Sequence, residues 1–179
     1  MSETEGSRNV QRIADALKRL NGTLARRADF GHYTGSSVST LVEGLRCLSE
    51  AGGWTIATDL RPAMGGEGSA PTPTVLLSSA LGACLAMGYQ LRAAEHGIEL
   101  TSVRVTVETE SELRGMLQCD AVVPPGFTDI RYRVELESPD RTSEIERIVD
   151  LADRLSPVLD ALTRANRVQR TVSINERVA

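Results

Sequence analysis

The chain has 179 residues and a formal net charge of −4, enough length to bury a core as one domain and no electrostatic support for a nucleic-acid partner. Its three cysteines, Cys47, Cys84 and Cys119, are an odd number at wide spacings, which fits neither a disulfide framework nor a zinc site. The opening MSETEGSRNVQ carries no apolar signal region and no apolar run approaches the ~20 residues of a membrane span, so the expected setting is a soluble, cytoplasmic, reducing one without a membrane.

Residues 8–20 are predicted as an amphipathic helix. Val10, Ile13, Ala14, Leu17 and Leu20 recur at helical spacing, Ser7 caps the start and Asn21-Gly22 stops it. The Val10/Ile13/Leu17 face is expected to pack on the body or on a partner subunit. Residues 26–37 read as a linker, which divides the chain into a leading segment, 1–37, and a domain, 38–179. Residues 38–48 and 54–58 read as two strands around a Gly52-Gly53 turn. A glycine-rich loop over 60–70 follows.

Thr72 or Thr74 caps the next helix, Pro73 is tolerated in its opening turn, and Gly97 stops it near Glu95. This helix is apolar nearly all round and is expected to be buried on most sides. Ala80, Ala83 and Gly88 leave room for a second helix to approach. Strands are predicted at 101–109, 115–122 and 130–137, with Pro124-Pro125-Gly126 turning between the last two. Val103, Val105 and Val107 alternate, as do Tyr132, Val134 and Leu136, so each strand has one buried face. Ser143 with Glu146 reads as a capping box, and Ile145, Ile148, Val149, Ala152 and Leu155 line one face of the helix it opens. A short helix over 157–164 and a last strand over 168–174 complete an α+β order with mainly antiparallel pairing.

Cys84 stands in the middle of the apolar helix, within GGEGSAPTPTVLLSSALGACLAMG. Taken alone, a cysteine so placed packs as a small hydrophobe. The helix N-terminus lies too far away to help, so a reactive thiolate there needs a nearby cation. His96, just before Gly97, suits a helix C-terminus, and His32 has no ligand partner in view; the two do not suggest a metal site. GGEG lacks the Gly-Lys-Ser/Thr ending of a phosphate-binding loop. Asp29 and Asp59 form no recognisable carboxylate pair. No cofactor or metal is implied.

The run from Pro71-Thr72-Pro73 to Met87, of the form P-x-P-x-x-L-L-x-x-A-L-G-A-C-x-A-M, and the helix opening at Ser156-Pro157 resemble the OsmC/Ohr family of cysteine-based peroxidases. The likeness extends over roughly residues 38–174 and leaves the first 35 residues unexplained. It implies antiparallel sheets wrapped around a long central helix, in an intertwined homodimer. It implies that Cys84 is the thiol that attacks the O–O bond of an organic hydroperoxide, in oxidative-stress defence, leaving a sulfenic acid. An arginine of the N-terminal strands then holds the thiolate. Arg46 matches best, with Arg61 as the alternative.

Two departures accompany the likeness. Members of the family that are peroxidases carry a glutamate ten residues before the cysteine, where this chain has Thr74. Threonine forms no charged fork with arginine, and Glu67 in the preceding loop is the candidate substitute. The family's resolving cysteine is replaced by Ser156, a good helix cap that cannot form a disulfide with Cys84. Either an external thiol or dithiol reduces the sulfenic acid directly, or Cys47 or Cys119 resolves it. A different reading is a degenerate member of the family that binds or senses a small apolar or electrophilic ligand. A further one is a structural oligomer whose cysteines only pack.

Overall fold

The computed structural model describes residues 5–175, so the outer ends of the 1–37 and 38–179 segments lie outside the described residues. In chain order the elements are α1 (Glu5–Arg26), β1 (Val38–Glu43), β2 (Arg46–Ala51), β3 (Trp54–Thr58), α2 (Pro73–Glu95), β4 (Ser102–Ser111), α3 (Leu113–Met116), β5 (Phe127–Glu137), α4 (Thr142–Arg154) and α5 (Pro157–Thr163). The fold is α+β, with an antiparallel meander β1-β2-β3 and a separate antiparallel pair β4-β5.

Helix α2 organises the molecule. Thr72 is its cap: the Val75 N–H donates to Thr72 Oγ1 at 3.4 Å, and Pro73, which has no N–H to lose, follows. Gly97 lies just beyond the helix end with φ +72, a left-handed conformation that ends helices cheaply only at glycine. Leu81, Leu85, Tyr89 and Ala93 recur every fourth residue and are fully buried. Around them pack Val103, Val105 and Val107 of β4, Ile130, Val134 and Leu136 of β5, Ile148 and Ala152 of α4, and Val158, Leu159 and Leu162 of α5. Full burial of one such aliphatic side chain stabilises by roughly 1.5–3 kcal/mol.

The expectation that α2 is buried on most sides holds for one side only. Leu77, Ala80, Ala83, Met87 and Leu91, on the other side, are exposed. By length and composition α2 is also apolar enough to cross a membrane, contrary to the reading that no run approaches that length. Its buried side is the centre of the core, so its apolarity has a role within the fold.

Several expected boundaries shift. The first helix does not stop at Asn21-Gly22 but runs to Arg26. Interior glycine costs a helix only about 1 kcal/mol, and Thr23 and Leu24 beyond it are half-buried. Val10, Ile13 and Leu17 are half-buried as well, on a helix that packs against α2. The single strand expected over 38–48 is two strands. Gly44, with φ +52, turns the chain between them, and Glu43 pairs with Arg46. Unbroken β-type composition on both sides of the turn hid it.

The strand expected over 115–122 is replaced by α3 and an irregular connection. Pro124 and Pro125 cannot donate to a ladder, and the Pro124 carbonyl lies against Gly115. The capping box at Ser143 and Glu146 does not form: α4 begins at Thr142, its cap position is Arg141, and no side chain bonds there. The strand expected over 168–174 is absent. Val168, Val172 and Ile174 are exposed, and no neighbouring strand supplies the ladder that would order them.

Candidate functional site

Cys84 projects from the middle of α2 and is half-buried. Facing it is the junction between α4 and α5. Ser156 at that junction is only 3% exposed, and its Oγ stands 3.3 Å from Cys84 Sγ. Ser156 also caps α5, because the Leu159 N–H donates to its Oγ at 3.3 Å. That N–H takes one acceptor position on the hydroxyl, and in the contact with sulfur either the hydroxyl or the thiol can donate. When Cys84 is a thiolate its sulfur can only accept, and the hydroxyl is then the donor.

The same junction is tied from behind. Tyr89, five residues after Cys84 on α2, donates its hydroxyl to Asp153 Oδ1 at 2.7 Å. Tyr132, on β5, donates to Asp153 Oδ2 at 2.9 Å. Burial, then the bond to Asp153, holds the Tyr89 phenol far above the ordinary tyrosine range. The same two causes push Tyr132 up to about 12. Both phenols therefore remain protonated donors at neutral pH. The backbone completes the tie, since the Ser156 N–H donates to the Asp153 carbonyl at 3.2 Å.

A second polar centre shapes the entry to α2. Asp59 is 1% exposed and accepts from the Leu60, Glu67 and Ser69 N–H groups and the Ser69 hydroxyl, at 2.8–3.2 Å. The Ser69 N–H is the main reason its carboxyl lies below the usual carboxylate range. These bonds fold the 60–70 loop back on itself, with Gly66 so close to the Leu60 carbonyl that a Cβ would overlap it. Beside this loop an apolar groove of about 490 Å³ is lined by Leu41, Leu45, Cys47, Asp59, Pro73 and Leu76 among others.

Of the residues singled out in the sequence, the fold brings Cys84 and Ser156 together. Arg46 is exposed at the start of β2 and Arg61 is exposed before the short turn Pro62–Met64. Among the described residues, neither arginine pairs with Cys84. Thr74 lies ten residues before Cys84, about 15 Å along the helix axis, and its hydroxyl meets that of Thr72 at 2.9 Å. The Glu67 side chain is exposed, and its backbone rather than its carboxylate meets Asp59. Cys47 is half-buried in β2. Cys119 is exposed, and it lies in the irregular connection rather than in the expected strand. His96 Nδ1 bonds the Arg92 carbonyl at 2.9 Å, as a helix-end histidine does. Among the described residues no three metal-ligating side chains gather.

Asp59, Tyr89, Tyr132 and Asp153 were not found from the sequence. Asp59 had a usable signal, an acid opening a Gly/Ser-rich loop, the composition of a side-chain-capped turn. Tyr89 had a weaker one, a hydroxyl in an otherwise apolar helix that needs a partner when buried. Asp153 follows the core position Ala152 and gave none, and Leu155, expected on the buried face of the same helix, is exposed at its end.

The architecture and the thiol together define a class: α+β proteins centred on one long helix whose cysteine faces the capped start of a C-terminal helix. Residues 66–170 match the family model of OsmC-like proteins, and the chain belongs to that family. No curated protein matches the sequence. Among solved structures, the chain is similar to an OsmC-like protein of Mycoplasma pneumoniae at 21% identity and TM-score 0.62, covering 73% of this chain and 87% of the other. It is similar to an organic hydroperoxide resistance protein of Legionella pneumophila at 21% identity and TM-score 0.53, covering 73% and 90%. A detoxification-response protein of Psychrobacter arcticus aligns at 18% identity and TM-score 0.58, covering 74% and 90%. At these identities the likeness speaks for the fold, and the site must carry the function.

Proposed function

We propose that this protein is a thiol-dependent peroxidase that reduces small organic hydroperoxides through Cys84, in cytoplasmic oxidative-stress defence, without an internal resolving cysteine. The observation that carries the reading is the half-buried Cys84 thiol held 3.3 Å from the buried Ser156 hydroxyl. That hydroxyl stands where the family places its second cysteine. Membership of the OsmC-like family and likeness to a protein named for organic hydroperoxide resistance support it.

The Cys84 thiolate attacks the outer peroxide oxygen. The O–O bond breaks, the alkoxide takes a proton and leaves as alcohol, and Cys84 becomes a sulfenic acid. Ser156 supplies a hydrogen bond but no sulfur, so two external thiols return the two electrons. The first displaces water to form a mixed disulfide. The second releases Cys84 and leaves the external pair oxidised. No bound cofactor or metal takes part, and nucleic acid and membrane are not partners.

The reading includes a homodimer. The exposed stripe of α2 and the weakly covered β1–β3 sheet, with Leu41 63% and Trp54 77% exposed, suit burial against a second copy. In this reading Arg46, or alternatively Arg61, reaching the thiol across that interface is the cation that completes the site. The second reading is a scaffold that binds a small apolar or electrophilic ligand without turnover. Its supporting observation is that Cys84 has no charged partner among the described residues and Thr74 supplies none.

Hydroperoxide consumption with a dithiol reductant, in wild type and Cys84→Ser, decides between them. Turnover that disappears in the variant supports the peroxidase. Equal background rates in both remove it and leave ligand binding, tested by protection of Cys84 from alkylation.

A further inference from the structure

We infer that Tyr89, Asp153 and Tyr132 form a positioning clasp that aims Ser156 at the Cys84 sulfur. This rests on the reading of Cys84 as the functional thiol. None of the three residues touches sulfur. Asp153 has both carboxylate oxygens occupied, one by a phenol from α2 and one by a phenol from β5. Its carbonyl receives the N–H of Ser156 itself. The last turn of α4 is thus fixed to the helix that bears Cys84 and to the sheet behind it, and Ser156 hangs three residues further on.

The geometry makes this pinning matter. The Ser156 Oγ has two partners to satisfy at once, the Leu159 N–H and Cys84 Sγ, both at 3.3 Å. Hydrogen bonds weaken steeply as distance and angle depart from their optimum, and a displacement of about 1 Å in such a site is enough to lose one. Capping α5 needs only Ser156 and its own helix. Reaching Cys84 needs α5 held at one position relative to α2, and besides the apolar packing of Ala152, Val158 and Leu159 around α2 this pair of polar contacts, 64 and 72 residues apart in sequence, joins α2 to the α4–α5 junction.

A clasp built of phenols also suits this position. Tyr89 is fully buried, so its hydroxyl needs a partner that is always present. A carboxylate accepting from two phenols forms charge-assisted bonds, stronger than those between neutral groups.

The test is the alkylation rate of Cys84 at neutral pH, followed by mass spectrometry of the Cys84 peptide. Wild type, Tyr89→Phe, Ser156→Ala and the double variant are compared. Phenylalanine keeps the ring in the core and removes only the donor. Tyr89→Phe is expected to slow alkylation three- to tenfold, as Ser156→Ala does, and to add nothing in the Ser156→Ala background. Slowing of the same size in both backgrounds overturns the inference, because the clasp would then act independently of Ser156. An unchanged rate in folded Tyr89→Phe, with only a lower melting temperature, also overturns it. Should Tyr89→Phe fail to fold, Tyr132→Phe enters the same cycle with the same two outcomes. Alkylation needs no peroxide turnover, so this result is separate from that of the peroxidase assay.

Discussion

The body around α2 and the three-stranded sheet β1–β3 answer the same need, burial of apolar side chains, in opposite ways. The body closes on itself: Leu81, Leu85 and Tyr89 are sealed by strands and helices of their own chain. The sheet contributes no side chain to that core, and its Trp54 and Leu41 are exposed. The two residues that meet at the candidate site, Cys84 and Ser156, both belong to the body. The arginine that the family likeness assigns to the thiol belongs to the sheet. One chain therefore builds a thiol with a hydroxyl partner and, among the described residues, no charged partner beside it.

The comparison breaks first in the body. Leu85→Ala is expected to destabilise by about 3 kcal/mol in urea unfolding, from lost transfer energy and the cavity left behind. Leu41→Ala in the sheet changes stability by less than about 0.5 kcal/mol if its surroundings stay wet. A loss comparable to that of Leu85→Ala shows instead that the sheet is covered in solution.

Placing charge on the open side of α2 sharpens the same point. Met87→Glu with Leu91→Glu is expected to convert a dimer to monomer in sedimentation velocity while leaving the body folded. An unchanged sedimentation coefficient removes α2 from any interface.

Acid sensitivity separates the two regions chemically. The Asp59 carboxyl, in the connection between sheet and body, lies below the usual carboxylate range. Its contribution is complete above the unfolded carboxylate value of about 3.9 and fades as pH falls through the folded value. Asp59→Asn is expected to flatten the acid limb of stability below about pH 4, read as melting temperature against pH.

A further small effect is at the alkaline end. Tyr132 titrates near 12 in the fold against about 10 in an unfolded chain. Its contribution is complete below about pH 10 and lost as pH rises toward about 12. Tyr132→Phe is expected to cost less than about 1 kcal/mol at neutral pH, since its hydroxyl is partly solvated. It should also remove the tyrosine component of the alkaline limb.

The sequence alone determined the local features. Thr72 and Pro73 open α2, Gly97 closes it, and Ser156-Pro157 opens α5, because caps and stops are settled within a few residues of chain. Alternation found β4 and β5, and the OsmC/Ohr likeness found Cys84 and the serine opposite it. Tertiary structure decided what depends on distant partners. The hairpin at Gly44 was invisible because both its arms have the same composition. The 168–174 segment stayed irregular because β propensity makes no ladder without a neighbour. Asp153 became the anchor of Ser156 only when a phenol 64 residues away met one oxygen and a phenol 21 residues away met the other. Periodicity records which side of an element is apolar. It carries no record of which polar group waits on the element that comes to rest against it.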